Sequence, residues 1–390
     1  MNELIKAKAE AIFPQIQAIR HHIHAHPELS FHEYHTSAFI AEKLAAAGIK
    51  HKTGIAGTGI VATIEGKNPG DKCIALRAEM DALPIYEANE TLYRSQNEGL
   101  MHACGHDVHS ACLVGAAYIL QEMRDQFTGT IKLIFQPGEE KNPGGASLMI
   151  AEGILENPKP EAIYALHVYP HLPCGSVGFR GGQYMASTDE LYITIIGKGG
   201  HAALPHLTID PIAISAQVIT NLQQIISRKG NPLIPSVLSF GKIAGGFTTN
   251  VIPDKVELEG TFRTMDEEWR YKAHELVKRV VEETCKANGA SSKVEVSVGY
   301  PSLYNDVTLT EKAQKAASEF LGEENVVVLN QRMTADDFSF YSHQVPGCYF
   351  RLGTNTNNDK FTTPVHNAHF DIDENAMKTG MGVLVSLALS

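Results

Sequence analysis

Thr130-Ile131-Lys132-Leu133-Ile134-Phe135-Gln136-Pro137-Gly138-Glu139-Glu140 is a short apolar run that ends in a Pro-Gly turn and two adjacent carboxylates. Its β-branched and aromatic residues, stopped by Pro137-Gly138, read as a buried strand. The pattern repeats outward in both directions. Upstream, 59–64 and 73–78 read as strands, and the second runs into Glu79-Met80-Asp81-Ala82-Leu83-Pro84. Downstream, 145–151 reads as a helix, and 162–166 as a strand that delivers His167 at its end. Helical patterns lie between: 3–24, 33–47 and one starting near Cys104. Strands alternating with helices predict an α/β sheet. In such sheets function collects at the carboxyl ends of strands. Asp81, Glu139, Glu140 and His167 all fall there.

The first helix carries Ile5, Ala9, Ile12, Ile16, Ile19 and Ile23 as one stripe. Pro14 lies inside it and predicts a kink or a break. Pro27 ends it. His21, His22, His24 and His26 crowd its end, and the plain reading is a solvated or packing group. From about Thr188 the pattern changes. Strand 190–196, a glycine turn at 197–200, helix 210–228, strands 236–243 and 255–263, helix 267–287 and strand 293–298 follow in turn. This β-α-β-β-α-β order is the split, ferredoxin-like arrangement. Helix 308–320, strands 325–329 and 348–353 and helix 373–388 then rejoin the first sheet. The fold class is therefore α/β. A catalytic domain with a mixed central sheet flanked by helices (1–186 and 300–390) is interrupted by an α+β insertion (187–299).

A length of 390 residues suits two domains. The net charge of -11 opposes a nucleic-acid partner, which would call for a basic face. No apolar run is long enough for a bilayer, so no membrane is expected. The N-terminus lacks a basic region followed by an apolar core. The six Cys lack framework spacing. Reduced thiols in the cytoplasm are the simpler account.

Cys104, His106, Glu140, His167 and His366 combine a thiolate, three imidazoles and a carboxylate. That mix belongs to transition-metal sites, and five protein ligands suit two metals better than one. A thiolate is a good bridge between two cations. With Glu140 on a metal, its neighbour Glu139 stays available as a base. Asp81 is placed to orient a ligand His. Glu79 is either a ligand or a partner of Arg77. His102, Asp107 and His109 are left to support the ligands from behind. In the insertion, Gly199-Gly200-His201-Ala202-Ala203 puts a His on a loop of small residues, where it could donate to an oxyanion. Asn250 and Arg263 share that domain, and Arg263 could hold a substrate carboxylate with two hydrogen bonds.

These motifs resemble the dinuclear metallohydrolases that include aminoacylase and carboxypeptidase G, most closely their amidohydrolase branch of N-acyl-amino-acid, hippurate and auxin-conjugate hydrolases. The matching stretches are RHHIHAHPELSFHE at Arg20, RAEMDALPIYE at Arg77, HACGHDVHSA at His102 and FQPGEE at Phe135. GKGGHAALPH at Gly197, NVIPD at Asn250 and GTFR at Gly260 follow. DDFSFY at Asp336, PGCYFRLG at Pro346 and HNAHFDIDE at His366 complete the set. The resemblance implies Cys104, His106, Glu140, His167 and His366 as metal ligands, choosing His366 over His369, and Glu139 as general acid/base. Departures are Ala368, where relatives often carry Pro, and Glu79, where many carry Asp. It also implies an inserted domain that serves as lid and dimerisation surface, with His201 completing the site of the facing subunit.

The expected activity is hydrolysis of the amide bond of N-acyl amino acids or similar small conjugates by a metal-activated water. Two divalent ions (Zn, Mn, Ni or Co) are the expected cofactors. A dipeptidase or carboxypeptidase of the same chemistry is the nearest alternative, and a catalytically silent metal-binding scaffold the next.

Overall fold

The structure, a computed structural model describing residues 1–356 and 361–390, divides into two units. Met1–Gly182, Tyr304–Asn330 and Asp337–Ser390 form the first, and Gln183–Leu303 with Gln331–Asp336 the second. In chain order the elements begin with α1 (Asn2–Ala25), α2 (Tyr34–Ala46), β1 (Lys50–Ile55), β2 (Gly59–Glu65) and β3 (Asn68–Glu79). Next come α3 (His106–Glu122), β4 (Thr128–Gln136), α4 (Gly145–Ala151), β5 (Ala162–Pro173), β6 (Val177–Phe179) and β7 (Gly182–Met185). β8 (Asp189–Ile196), β9 (Gly200–His201), α5 (Pro211–Gln224), β10 (Ser236–Ala244), β11 (Val251–Ile252), β12 (Lys255–Thr264), α6 (Glu267–Ala287) and β13 (Ser291–Val298) follow. The chain closes with β14 (Leu303–Asn305), α7 (Val307–Leu321), β15 (Val326–Val328), α8 (Phe338–Ser342), β16 (Gly347–Asn355) and α9 (Ala376–Ala388).

The first unit is built on an eight-stranded mixed sheet in the order β1-β2-β4-β3-β5-β16-β6-β15. Its centre, β4-β3-β5-β16, is parallel. β3 and β4 end together at Glu79↔Gln136, so Asp81, Glu139 and Glu140 leave the sheet side by side. β5 departs from expectation. It runs through His167 to Pro173, because β16 continues to pair with it after β3 has stopped at Arg77↔Ala165. His167 thus lies within a strand that has lost one neighbour.

Helix α1 is unbroken despite Pro14. The apolar stripe Ile5, Ala9, Ile16, Ile19 and Ile23 is buried against the core, and that packing outweighs the one hydrogen bond proline removes. Near its end α1 also buries His24. The ring sits between Asp107 (Nδ1 to Oδ2, 2.8 Å) and Glu87 (Nε2 to Oε1, 3.2 Å), so both nitrogens face carboxylates. Burial pulls its pKa down, but Asp107 and Glu87 overcome this and raise it to about 9. An unfolded His titrates near ~6.5. The stabilisation from His24 is therefore complete below about 6.5 and is lost as pH rises through about 9. Thermal melting of the metal-free protein should show this directly. The wild type is expected to lose more stability between those pH values than His24→Gln, and parallel curves would refute it.

In the second unit, β8, β10, β12 and β13 form an antiparallel sheet in the order β10-β12-β8-β13. Leu191, Ile193 and Ile195 of β8 are buried with the apolar faces of α5 and α6, while Glu190 and Tyr192 point away. Asp210 accepts from Ile212 N (2.9 Å) and Asp266 from Trp269 N (2.7 Å), which caps the starts of both helices. Residues 331–336 join this unit through backbone bonds: Arg332 N donates to Tyr184 O (3.0 Å), and Ala186 N to Thr334 O (3.1 Å). No helix among the described residues is long and apolar enough to cross a membrane.

Candidate metal centre

The site forms in the first unit, where β3, β4 and β5 hand their chains to loops and α3 begins. Gly105 makes the start of α3 possible. Its φ is +82°, and a Cβ there would meet Val168 Cγ2 at 2.6 Å. Only glycine therefore lets Cys104 and His106 sit on either side of it against β5. Gly138 does similar work after β4, with φ +60° and its amide donating to Glu33 Oε1 at 2.8 Å.

Asp81 is buried at the centre of the construction. Its Oδ1 lies 3.1 Å from His106 Nδ1, while Oδ2 accepts from Ser30 Oγ (2.7 Å) and from the Glu140 backbone N–H (2.9 Å). His106 Nδ1 also meets the Asp81 carbonyl at 3.0 Å. Two oxygens at Nδ1 require a proton there and aim Nε2 into the site. Burial tends to raise the Asp81 pKa, but its bonds to His106 and Glu140 hold it below the usual carboxylate range. Burial opposes a charged His106, yet Asp81 and Glu79 raise its pKa to about 10. Without a cation the ring keeps its second proton, which a metal must displace.

His167 is prepared in the opposite sense. Its Nδ1–H donates to the Val168 carbonyl at 2.8 Å, leaving the Nε2 lone pair available. Burial, then the nearby Arg351 charge, holds it well below the usual imidazole range. That Nε2 lies 3.4 Å from Cys104 Sγ, and His366 Nε2 lies 3.3 Å from the same sulfur. His366 Nε2 is 3.1 Å from Glu140 Oε1, and His106 Nε2 is 3.9 Å from Glu139 Oε2. Among the donor groups of the described residues, three overlap on the expected ligands: Cys104-His106-His167, Cys104-Glu140-His366 and His106-Glu139-Glu140; Glu79-His106-His109 is another that shares His106. Cys104 belongs to two of them, as a shared thiolate would. Burial, then Glu140 and Glu139, pushes the thiol well above its usual pKa, so a nearby cation is needed to ionise it.

Among the described residues, His106 Nε2 is buried without a hydrogen-bond partner. Such an orphan costs about 1–3 kcal/mol unless something else is bound. This orphan, the donor chemistry and the spacing fit divalent cations.

A buried network of charged and polar side chains lies behind the ligands. Arg77 pairs with Glu79, with Asp337 (2.5 Å) and with Gln136 (2.9 Å). Glu79 Oε2 also bonds His109 Nδ1 at 2.9 Å. His109 Nε2 then accepts the Val168 N–H at 3.0 Å, the amide freed where β3 stops pairing. Glu79 is thus a partner of Arg77 that fixes His109 and, through it, the strand beside His167. The alternation of charged and apolar residues in Arg77-Ala78-Glu79 hinted at the pair. Nothing local pointed to Gln136 or Asp337.

The second unit carries the other expected residues. His201 pairs with Val251 across β9 and β11, is exposed, and accepts from Ala203 N at 3.1 Å. The Asn250 carbonyl accepts from Ala202 N at 3.0 Å, so His201 and Asn250 are neighbours. Arg263 is not with them. It lies eight residues beyond Lys255 near the far end of β12, ~26 Å along that strand at ~3.3 Å per residue, and donates to the Met333 carbonyl at 3.2 Å.

A thiolate, imidazoles and carboxylates converging beside a second, adjacent carboxylate define the site of a metal-dependent hydrolase. The chain belongs to peptidase family M20/M25/M40, whose model matches residues 75–390. It is 43% identical to an N-acyl-L-amino acid amidohydrolase of Geobacillus stearothermophilus, over 78% of this chain and 81% of the relative. It is 39% identical to thermostable carboxypeptidase 2 of Saccharolobus solfataricus, over 97% of this chain and 95% of the relative. The crystal structure of the Bacillus subtilis YXEP protein, a dinuclear metal binding peptidase from the M20 family, superposes with a TM-score of 0.84. It shares 35% identity with this chain, covering 97% of it and 98% of the YXEP chain.

Proposed function

We propose that this chain hydrolyses the amide bond of N-acyl amino acids or related small conjugates, releasing a carboxylate and a free amino acid. The observation that carries the reading is Glu139, held beside Cys104, His106, Glu140, His167 and His366 at the carboxyl end of a parallel sheet. The N-acyl amino acid activity of the 43%-identical relative supports the substrate class. When bound, two divalent cations (Zn, Mn, Ni or Co) supply Lewis acidity that acidifies water and polarises the scissile carbonyl. Glu139 takes the proton of the attacking water and returns it to the departing nitrogen. Asp81 keeps His106 Nε2 and the Glu140 loop aimed at the same point. The carboxypeptidase relative favours short peptides as a second substrate class. Initial rates on parallel panels of N-acyl amino acids and dipeptides test the assignment: the acyl series is expected to react faster, and hydrolysis of peptides alone would favour the second reading.

The second unit, with its β-α-β-β-α-β order, is proposed to act as a ferredoxin-like lid and dimerisation domain of a cytoplasmic homodimer. His201 would then donate to the oxyanion in the facing subunit. The length of β12, which lies between Asn250 and Arg263, supports their supply to one substrate carboxylate by different subunits. Mixing Glu139→Gln protein with His201→Ala protein is expected to restore activity above either parent, since a mixed dimer holds one complete site. No restoration after subunit exchange would refute the shared site.

A further inference from the structure

Arg20 is fully buried on α1 and touches no candidate ligand. Its guanidinium reaches three carboxylates in two distant segments. Nε donates to Asp107 Oδ2 at 2.9 Å, Nη2 to Asp371 Oδ1 at 2.9 Å, and Nη1 to Glu374 Oε1 at 3.0 Å. Tyr93 covers the guanidinium at 4.6 Å and donates its hydroxyl to Asp371 Oδ2 at 2.9 Å. Asp107 follows His106 directly, whereas Asp371 and Glu374 follow His366 by five and eight residues. One side chain therefore ties together the two segments that deliver ligands from opposite ends of the chain.

The His366 side is the one that needs tying. His366 has φ +64°, a conformation that non-glycine residues rarely adopt, and its side chain is 52% exposed. His106, by contrast, is buried and pinned by Asp81. Among the described residues, this segment's backbone is held by the His366 N–H to the Ala103 carbonyl (2.7 Å), the Ala88 N–H to the Ala368 carbonyl (2.9 Å) and Asn89 Nδ2 to the Phe370 carbonyl (2.9 Å). Buried Phe370 and Ile372 anchor the segment further on its apolar side, and Asp371 and Glu374 anchor it on its polar side. A planar guanidinium meets three carboxylates through a rigid fork of donors, whereas an ammonium offers three rotatable donors on a flexible stem and does not fix their angles.

We propose that Arg20 is a positioning residue for the metal centre, setting the affinity of the cation bound on the Glu140–His366 side while leaving the His106–His167 side nearly untouched. The inference rests on the two-cation reading given above. The test titrates metal-free, full-length protein with Zn²⁺ alone, using calorimetry and elemental analysis. Wild type is expected to take up two ions. Arg20→Lys, which keeps the buried charge, should bind the first ion within about threefold of wild type and the second roughly 10–100-fold more weakly, as when a group behind a ligand is lost. Asp371→Asn removes one arm at the rim of the cluster and should act in the same direction, so the outcome does not depend on Arg20→Lys folding. In a His366→Ala background neither change should weaken metal binding further. Wild-type affinities for both ions in both variants would overturn the proposal, as would equal weakening of both ions or an additive loss in the His366→Ala background. A wild type that binds one ion or none would overturn the two-cation reading and this inference together.

Discussion

Glu139→Gln is expected to take up metal as the wild type does and to lose turnover by about 10²–10⁴-fold, the usual worth of a general acid/base. The substitution keeps the size and hydrogen-bonding length of the side chain but cannot accept a proton. The ligands do not depend on it: His106 is oriented by Asp81, Glu140 by its backbone bond to Asp81, and His167 by the Val168 carbonyl. Elemental analysis beside initial rates would check both halves. A variant within a few fold of the wild-type rate would refute the base assignment. One that lost its metal would show Glu139 to be a ligand.

The second large effect is expected from Cys104→Ser. The sulfur lies 3.4 Å from His167 Nε2 and 3.3 Å from His366 Nε2, so it serves both donor groups. A serine hydroxyl fills nearly the same space but does not ionise readily, so the shared anionic donor disappears. Losing a group behind a ligand costs about 10–100-fold in metal affinity, and loss of a shared ligand should exceed about 100-fold. The metal-free protein should melt close to wild type, because the replacement is almost isosteric in a buried position. Near-normal metal affinity would exclude the thiolate as a bridge.

Much of this architecture was legible before the structure. The helix at 267–287 falls where its pattern places it, because Asp266 caps its start and Asn288 follows its end. The candidate ligands could be grouped because strand ends bring their loops together whatever the loop lengths. Other features depend on partners that sequence spacing does not encode. β1 is a mostly exposed edge strand, Lys50–Ile55, and shows no apolar alternation. β5 outruns its expected end because β16, nearly two hundred residues later, keeps pairing with it. Arg20 reads as one basic residue in a His-rich helix end until Asp107, Asp371 and Glu374 are brought around it. The separation of Asn250 and Arg263 was nearly readable, since the strand between them is extended and about 26 Å long at ~3.3 Å per residue.

The central claim is that this site cleaves N-acyl amino acids with two metal ions. Its most direct test is to strip the protein with a chelator, restore Zn²⁺ or Mn²⁺ stepwise, and measure free amino acid released from an N-acyl amino acid series. The rate should be negligible without metal, rise as metal is added and level off at two equivalents per chain. Full activity in the stripped protein, or no amino acid released at any loading, would contradict the account.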